Sequence, residues 1–150
     1  MEERPTLRSL HSDEPTFVTF TNRSEGEARA WWLNFSGEPV SYGDIRPGGS
    51  LRMNTFLTHP WIFRASDGCK LLIDFREVYF PRSAQFDENG HPLFHPVFIT
   101  TPVYTLQECC SRLIRKMVKK RDIDNLEIPD FLKEDIRRTP DLMREIQMLT

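Results

Sequence analysis

Pro102-Val103-Tyr104-Thr105-Leu106-Gln107-Glu108-Cys109-Cys110-Ser111-Arg112-Leu113-Ile114 is the stretch at which this chain changes character. All seven glycines lie before it, at or before Gly90, and of the aromatic residues only Tyr104 and Phe131 lie beyond Pro102. After Thr105 the apolar residues Leu106, Cys110, Leu113, Ile114, Met117 and Val118 recur at steps of three and four, the spacing of one face of a helix. Thr105 followed by Glu108 three residues on reads as a capping box that starts this helix. Lys116, Lys119, Lys120 and Arg121 crowd its far end, where cations suit the helix dipole. Asp122 or Asp124 offers a cap for a second short helix. Pro129 suits the first turn of a third, reaching about Arg138, and Asp141–Leu149 is a fourth helical pattern.

Upstream of Pro102 the pattern is that of short strands. The runs Thr16–Thr21, Arg29–Phe35, Ser50–Phe56, Trp61–Arg64, Leu71–Phe80 and Leu93–Thr100 are separated by turn signals such as Gly37-Glu38-Pro39, Pro47-Gly48-Gly49, Asp67-Gly68 and Asn89-Gly90. This spacing predicts an antiparallel β-sandwich, with Pro92, Pro96 and Pro102 placing the last strand at an edge. The fold class is therefore α+β: an N-terminal β-sandwich over residues 1–102, then a small helical domain over 103–150.

Composition excludes several classes. Charged residues make up 28% of the chain and the net charge is −2, which gives no reason to expect nucleic acid or an anionic membrane as the main partner. No apolar run approaches the ~20 residues of a spanning helix, and the N-terminus carries no apolar signal segment. The three cysteines, Cys69, Cys109 and Cys110, are odd in number with two adjacent, so neither a disulfide framework nor a zinc finger is expected. The expected location is inside the cell. No nucleophile elbow, P-loop, dinucleotide fingerprint or His-Glu-x-x-His motif occurs. His91 and His95 are each followed by proline, which prevents the helix that would aim them at one metal ion. A non-enzymatic binding module with no cofactor and no metal is the reading that remains.

Two constellations carry binding. In the first, Trp32 shares a strand face with Ala30 and Asn34, opposite Trp31, Leu33 and Phe35. It is either a surface aromatic platform or a cover over the end of the core, and a lone His59 is by itself an ordinary structural histidine. In the second, the stripe from Leu106 to Val118 either packs on its neighbours or turns part of its width, with Cys110 as a small apolar knob, toward a partner.

On these residues the chain resembles the von Hippel-Lindau tumour suppressor family. The resemblance rests on Trp32-Leu33-Asn34-Phe35-x-Gly37-Glu38-Pro39, His59-x-Trp61-x-Phe63-Arg64 and Pro102-Val103-Tyr104-Thr105-Leu106, and runs from about Leu7 to the end. It implies the substrate-recognition subunit of a cullin-RING ubiquitin ligase, whose sandwich takes a 4-hydroxyproline degron of the hypoxia-inducible factor α subunit. Carried over, it implies that Trp32, Tyr42 and Trp61 line a proline pocket, that His59 and Thr55 (serine in the family) meet the hydroxyl, and that Asn54 flanks them. His11, Asp13, Leu51, Asn54 and Phe56 depart from the family pattern at the rim. Thr105, Leu106, Cys110, Leu113 and Ile114 fit an elongin C box, with elongin B as the further partner, and Leu106 as its anchor. Gln107, Ile128 and Pro129 fall at the cullin-facing positions, with Gln107 where the family has lysine. A diverged relative with the same dock and an unhydroxylated substrate, and a carbohydrate-binding sandwich stacking sugars on Trp32 and Trp61, are the rival readings.

Overall fold

The computed structural model describes residues 6–149. Nine strands come first: β1 (Pro15–Asn22), β2 (Ala28–Leu33), β3 (Pro39–Ile45), β4 (Ser50–Phe56), β5 (Trp61–Ala65), β6 (Leu72–Ile73), β7 (Gln85–Phe86), β8 (Pro92–Leu93) and β9 (His95–Thr100). Helices α1 (Leu106–Met117), α2 (Asp130–Arg137) and α3 (Leu142–Met148) follow, with a 3₁₀ turn at Lys120–Asn125 between α1 and α2. Two compact units result: residues up to Pro102 together with those from Asp141 onward, and Val103–Pro140.

The first unit is a sandwich of a four-stranded sheet, β4-β1-β9-β6, and a three-stranded sheet, β3-β2-β5, with β7 and β8 as a separate hairpin. Alternation in β1 sends Thr16, Val18, Phe20 and Asn22 inward, all buried. Phe20 sits at the centre of the core, its ring 4.9 Å from Phe63, 5.2 Å from Trp61 and 5.8 Å from Tyr79. Val97 and Ile99 of β9, Ala28 and Ala30 of β2, and Ile45, Leu71 and Ile73 complete it. Asn22 closes the β1–β2 turn from inside: its Nδ2 donates to the carbonyls of Gly26 and Ile45, and its Oδ1 accepts from Ser24.

Several expectations change. One strand pairing is parallel, β1 with β9 from Val18↔His95 to Asn22↔Ile99, in an otherwise antiparallel sandwich. β9 is not a bare edge, because β6 pairs with it at Thr100 and Ile99, and the Asp74 carboxylate accepts from the Phe98 N–H. The expected strand Leu71–Phe80 shrinks to Leu72–Ile73, since Asp74 and Phe75 both take positive φ and turn the chain away. Strand β3 was absent from the sequence expectation; its Pro39 and Gly43 disguise it.

Strand β5 of the three-stranded sheet is buried on both faces. In β5 the four residues Trp61, Ile62, Phe63 and Arg64 are all buried. Trp61 and Phe63 enter the core, while Ile62 joins Leu33 and Ile146 in a second apolar cluster that Trp31, Val78, Leu142 and Leu149 flank. Helix α3 thus covers the outer face of this sheet. Arg64 ties it down: its guanidinium, 4% exposed, donates to Glu145 at 3.2 Å and to the Phe63 carbonyl at 2.9 Å.

In the second unit α1 opens with the expected capping box. Thr105 Oγ1 accepts from the Glu108 N–H at 3.1 Å, and the Glu108 carboxylate accepts from the Thr105 N–H at 2.7 Å. The one buried residue of α1 is Ser111, and Ile123 and Ile136 are the buried apolar residues of the 3₁₀ turn and α2. Arg115 fastens α1 to α2 by donating from Nε to the Ile136 carbonyl at 2.9 Å, and Gln107 does so by donating to Asp135 at 2.7 Å.

Candidate functional site

The expected first constellation converges at one end of the sandwich. Trp32 lies on the inward parity of β2 with Ala28 and Ala30, not on a polar outer face, because α3 claims the side carrying Trp31 and Leu33. Its ring stacks on His59 with centroids 5.3 Å apart and meets Tyr42 edge-on at 6.2 Å. Tyr42 is swung into place by a bulge. The β2–β3 register slips between Arg29↔Asp44 and Trp31↔Ser41, so β3 holds one extra residue there, and Gly43 at φ 94° supplies the backbone that bend needs. The Tyr42 ring then stands 5.1 Å from Trp61. Trp61 itself is only 2% exposed, so it is a buried wall and not a sugar platform.

The polar groups in this aromatic box have defined hydrogen-bond directions. Trp61 Nε1 donates to Thr55 Oγ1 at 3.0 Å, and Thr55 is buried. Its hydroxyl has accepted that bond and keeps its own proton to give. His59 Nε2 lies 2.9 Å from the carbonyl oxygen of His11 and 3.3 Å from Ser12 Oγ. A carbonyl only accepts, so Nε2 carries the proton and Nδ1 is left as an acceptor with no hydrogen-bond partner among the described residues. Burial pushes the imidazole below histidine's ordinary pKa, more than the His11 carbonyl bond raises it, with the neighbouring His11 charge lowering it further. The ring is therefore neutral at physiological pH.

Phe56, expected at the rim, closes on His59 at 5.2 Å, and Phe35, to which the sequence assigns no part in the pocket, does so at 5.5 Å. The segment before β1 is bound to the site: Ser9 Oγ accepts from Trp32 Nε1 at 2.9 Å and donates to the Leu33 carbonyl at 2.6 Å. Serine and histidine in a loop carry no periodic signal, so only the structure reveals these contacts. Asn54 is not brought into the box. It is exposed on β4, where alternation points it to the face opposite Thr55.

The second constellation is an unpartnered ridge. Leu106 is 81% exposed, Leu113 and Met117 are exposed, and Cys110 stands between them; at about 100° per residue these four fall within about 60° of arc. Ile114, half-buried, borders them. The expected stripe exists, but it faces outward, because Ser111 on another side of the helix is what packs within its unit. Pro129 stands at the N-terminus of α2, exposed, with Ile128 half-buried before it.

A cluster of aromatic rings enclosing one unused donor and one unused acceptor, together with an apolar helix face left exposed, is the pattern of a protein that binds through two surfaces. The VHL beta domain model matches residues 7–87, and the VHL box domain model matches residues 104–150. The Drosophila melanogaster protein named Protein Vhl is 24% identical over 133 residues, covering 80% of this chain and 75% of its own. The chain belongs to the VHL family, whose part is substrate recognition in an elongin–cullin ubiquitin ligase.

Proposed function

We propose that this chain is a non-catalytic adaptor that captures a 4-hydroxyproline degron, as in hypoxia-inducible factor α, and delivers it to an elongin BC–cullin ligase for oxygen-dependent ubiquitination. The observation that carries the reading is the polarity of the recess. A hydroxyl on a bound proline ring accepts from Thr55 and donates to His59 Nδ1, while Trp32, Tyr42 and Trp61 supply apolar walls and exclude water. An unmodified proline leaves both groups buried without partners, and a site of that kind rejects the analogue by orders of magnitude. Strand β4 is the edge of its sheet, so its free backbone groups can pair with an extended peptide and fix its register.

The α1 ridge is the elongin C surface in this reading, with Leu106 as anchor, Cys110, Leu113 and Ile114 beside it, and Thr105 holding the helix start. Gln107, Ile128 and Pro129 face the cullin. Ubiquitin transfer then follows from proximity within the assembled ligase, in the cytoplasm and nucleus.

The test is a titration of the chain, co-expressed with elongins B and C, against a hypoxia-factor-like peptide carrying 4-hydroxyproline and its proline twin. Selective binding of the hydroxylated form, with all three chains co-purifying, is the expected result. Co-purification without hydroxyl preference would reject the degron and leave a diverged adaptor for another substrate. Leu106→Asp is expected to abolish co-purification; a variant that retains both elongins overturns the docking assignment.

A further inference from the structure

Thr58, immediately before His59, adopts φ 75°, a left-handed conformation that is rare for a β-branched residue. It occupies the third position of a tight turn closed by the His59 N–H on the Phe56 carbonyl at 3.2 Å, a position where glycine is usual. A threonine held there against its own backbone preference calls for a compensating interaction. Its side chain supplies one. Thr58 Oγ1 accepts from the backbone N–H of Leu10 at 3.2 Å and of His11 at 3.4 Å, and donates to the His11 carbonyl at 3.4 Å. That same carbonyl is the acceptor for His59 Nε2. Two consecutive residues of one turn thus grip one peptide group of the segment preceding β1.

We infer that Thr58 is a positioning residue for hydroxyl recognition: by clasping the His11 peptide it holds the carbonyl that fixes His59 with its proton on Nε2, and so keeps Nδ1 available as an acceptor. The inference rests on the hydroxyproline reading for its functional consequence and on the clasp geometry for its structural one. Without the clasp, the His11 carbonyl is free to leave the ring, and the neutral imidazole divides between its two tautomers. In the Nδ1–H form the ring presents a donor where the ligand hydroxyl must donate. The titratable groups facing His59 are His11 and, through its 3.4 Å contact with His11, Asp13; the other neighbours, Trp32, Phe35 and Phe56, are uncharged.

The experiment compares the parent chain with Thr58→Ser, Thr58→Val and Thr58→Gly. Imidazole nitrogen shifts of histidine-labelled protein report the His59 tautomer, and paired hydroxyproline and proline peptides report selectivity. The serine variant keeps the hydroxyl and is expected to match the parent in both readouts. The valine variant keeps the shape, and the glycine variant relieves the backbone and secures a folded comparison if valine disrupts the turn. Both are expected to show mixed tautomers and a loss of hydroxyl selectivity set by the fraction of ring left in the Nε2–H form, about twofold for an even mixture. A fixed Nε2–H tautomer in the glycine variant would overturn the clasp. The two readings separate cleanly: the tautomer in the free protein decides the clasp, and the parent's peptide preference decides the hydroxyproline site.

Discussion

Replacing Thr55 by valine removes one hydroxyl from the recess and changes little else, since the two side chains are close in shape. Two effects follow from the geometry. In the free protein, Trp61 Nε1 loses the acceptor it holds at 3.0 Å, and because Trp61 and Thr55 are each 2% exposed, water does not replace it. An orphaned buried N–H costs about 1–3 kcal/mol, so with the added methyl recovering part, a loss of about 1–2 kcal/mol is expected, or for 150 residues a melting point lower by about 2–8 °C. In the complex, the ligand hydroxyl loses its donor and retains only the imidazole. The affinity for the hydroxyproline peptide is expected to fall about 10–100-fold, and that for the proline peptide to stay level, so the ratio of the two collapses. Fluorescence anisotropy with the paired peptides and a thermal melt measure the two effects, with Thr55→Ser as the control that retains both. A folded Thr55→Val protein with undiminished hydroxyl preference would refute the assignment of Thr55 as the donor.

Acidification provides a second handle. The folded pKa of His59 lies below its unfolded value near 6.5, so the neutral ring contributes stability that is full above that value and is lost as pH falls through the lowered folded pKa. Hydroxypeptide affinity is expected to fall over the same range, as protonated Nδ1 ceases to accept; affinity that stays constant through the pH at which the His59 ring is seen by NMR to protonate would contradict the acceptor role. Glu145→Ala leaves the buried Arg64 guanidinium without its carboxylate. Because Glu145 is partly solvated, about 1–2 kcal/mol of destabilisation is expected in urea unfolding, and none would mean that α3 is held by its apolar contacts alone. Gly37→Ala is expected to cost at least about 1–2 kcal/mol, since Gly37 has φ 78° and a β-carbon there would lie 2.9 Å from the Leu7 carbonyl oxygen. A melt unchanged by that substitution would show that the 6–9 segment does not press on the turn.

What the sequence reveals here is what is local. The start of α1 is legible because Thr105 and Glu108 satisfy each other's backbone within one turn. The apolar stripe of α1 is legible as a period, but its direction is not, because that depends on Ser111, Ile123 and Ile136 meeting from separate segments. Trp31 and Trp32 cannot be sorted from alternation when both faces of their strand are apolar, and the face that decides the matter is set by α3, more than a hundred residues later. Strand β3 hides behind Pro39 and the Gly43 bulge, yet that bulge is what delivers Tyr42 to the box. Trp32, Tyr42, Thr55, His59 and Trp61 are scattered over four segments, and family resemblance, not periodicity, selects them. The Ser9–His11 contacts and the role of Thr58 have no sequence signal beyond an unexpected threonine where a turn favours glycine.

The same two strands build the recess and hold the last helix. Along β5, Trp61 and Phe63 face the core and the recess, while Ile62 and Arg64 face α3; along β2, Trp32 faces His59 while Leu33 packs with Ile146. A strand interleaved in this way cannot shift one set of side chains without the other, because its backbone is the shared element. Loss of α3 exposes Leu33 and Ile62, removes the partner of a buried charge, and loosens the strands that carry Trp32 and Trp61. On the proposed reading, helix α3 is therefore expected to support recognition through the strands it holds. Substitutions on it should weaken hydroxypeptide binding in proportion to the stability they remove, whereas Thr55→Val and Thr58→Gly should lower hydroxyl selectivity by more than their effect on stability accounts for.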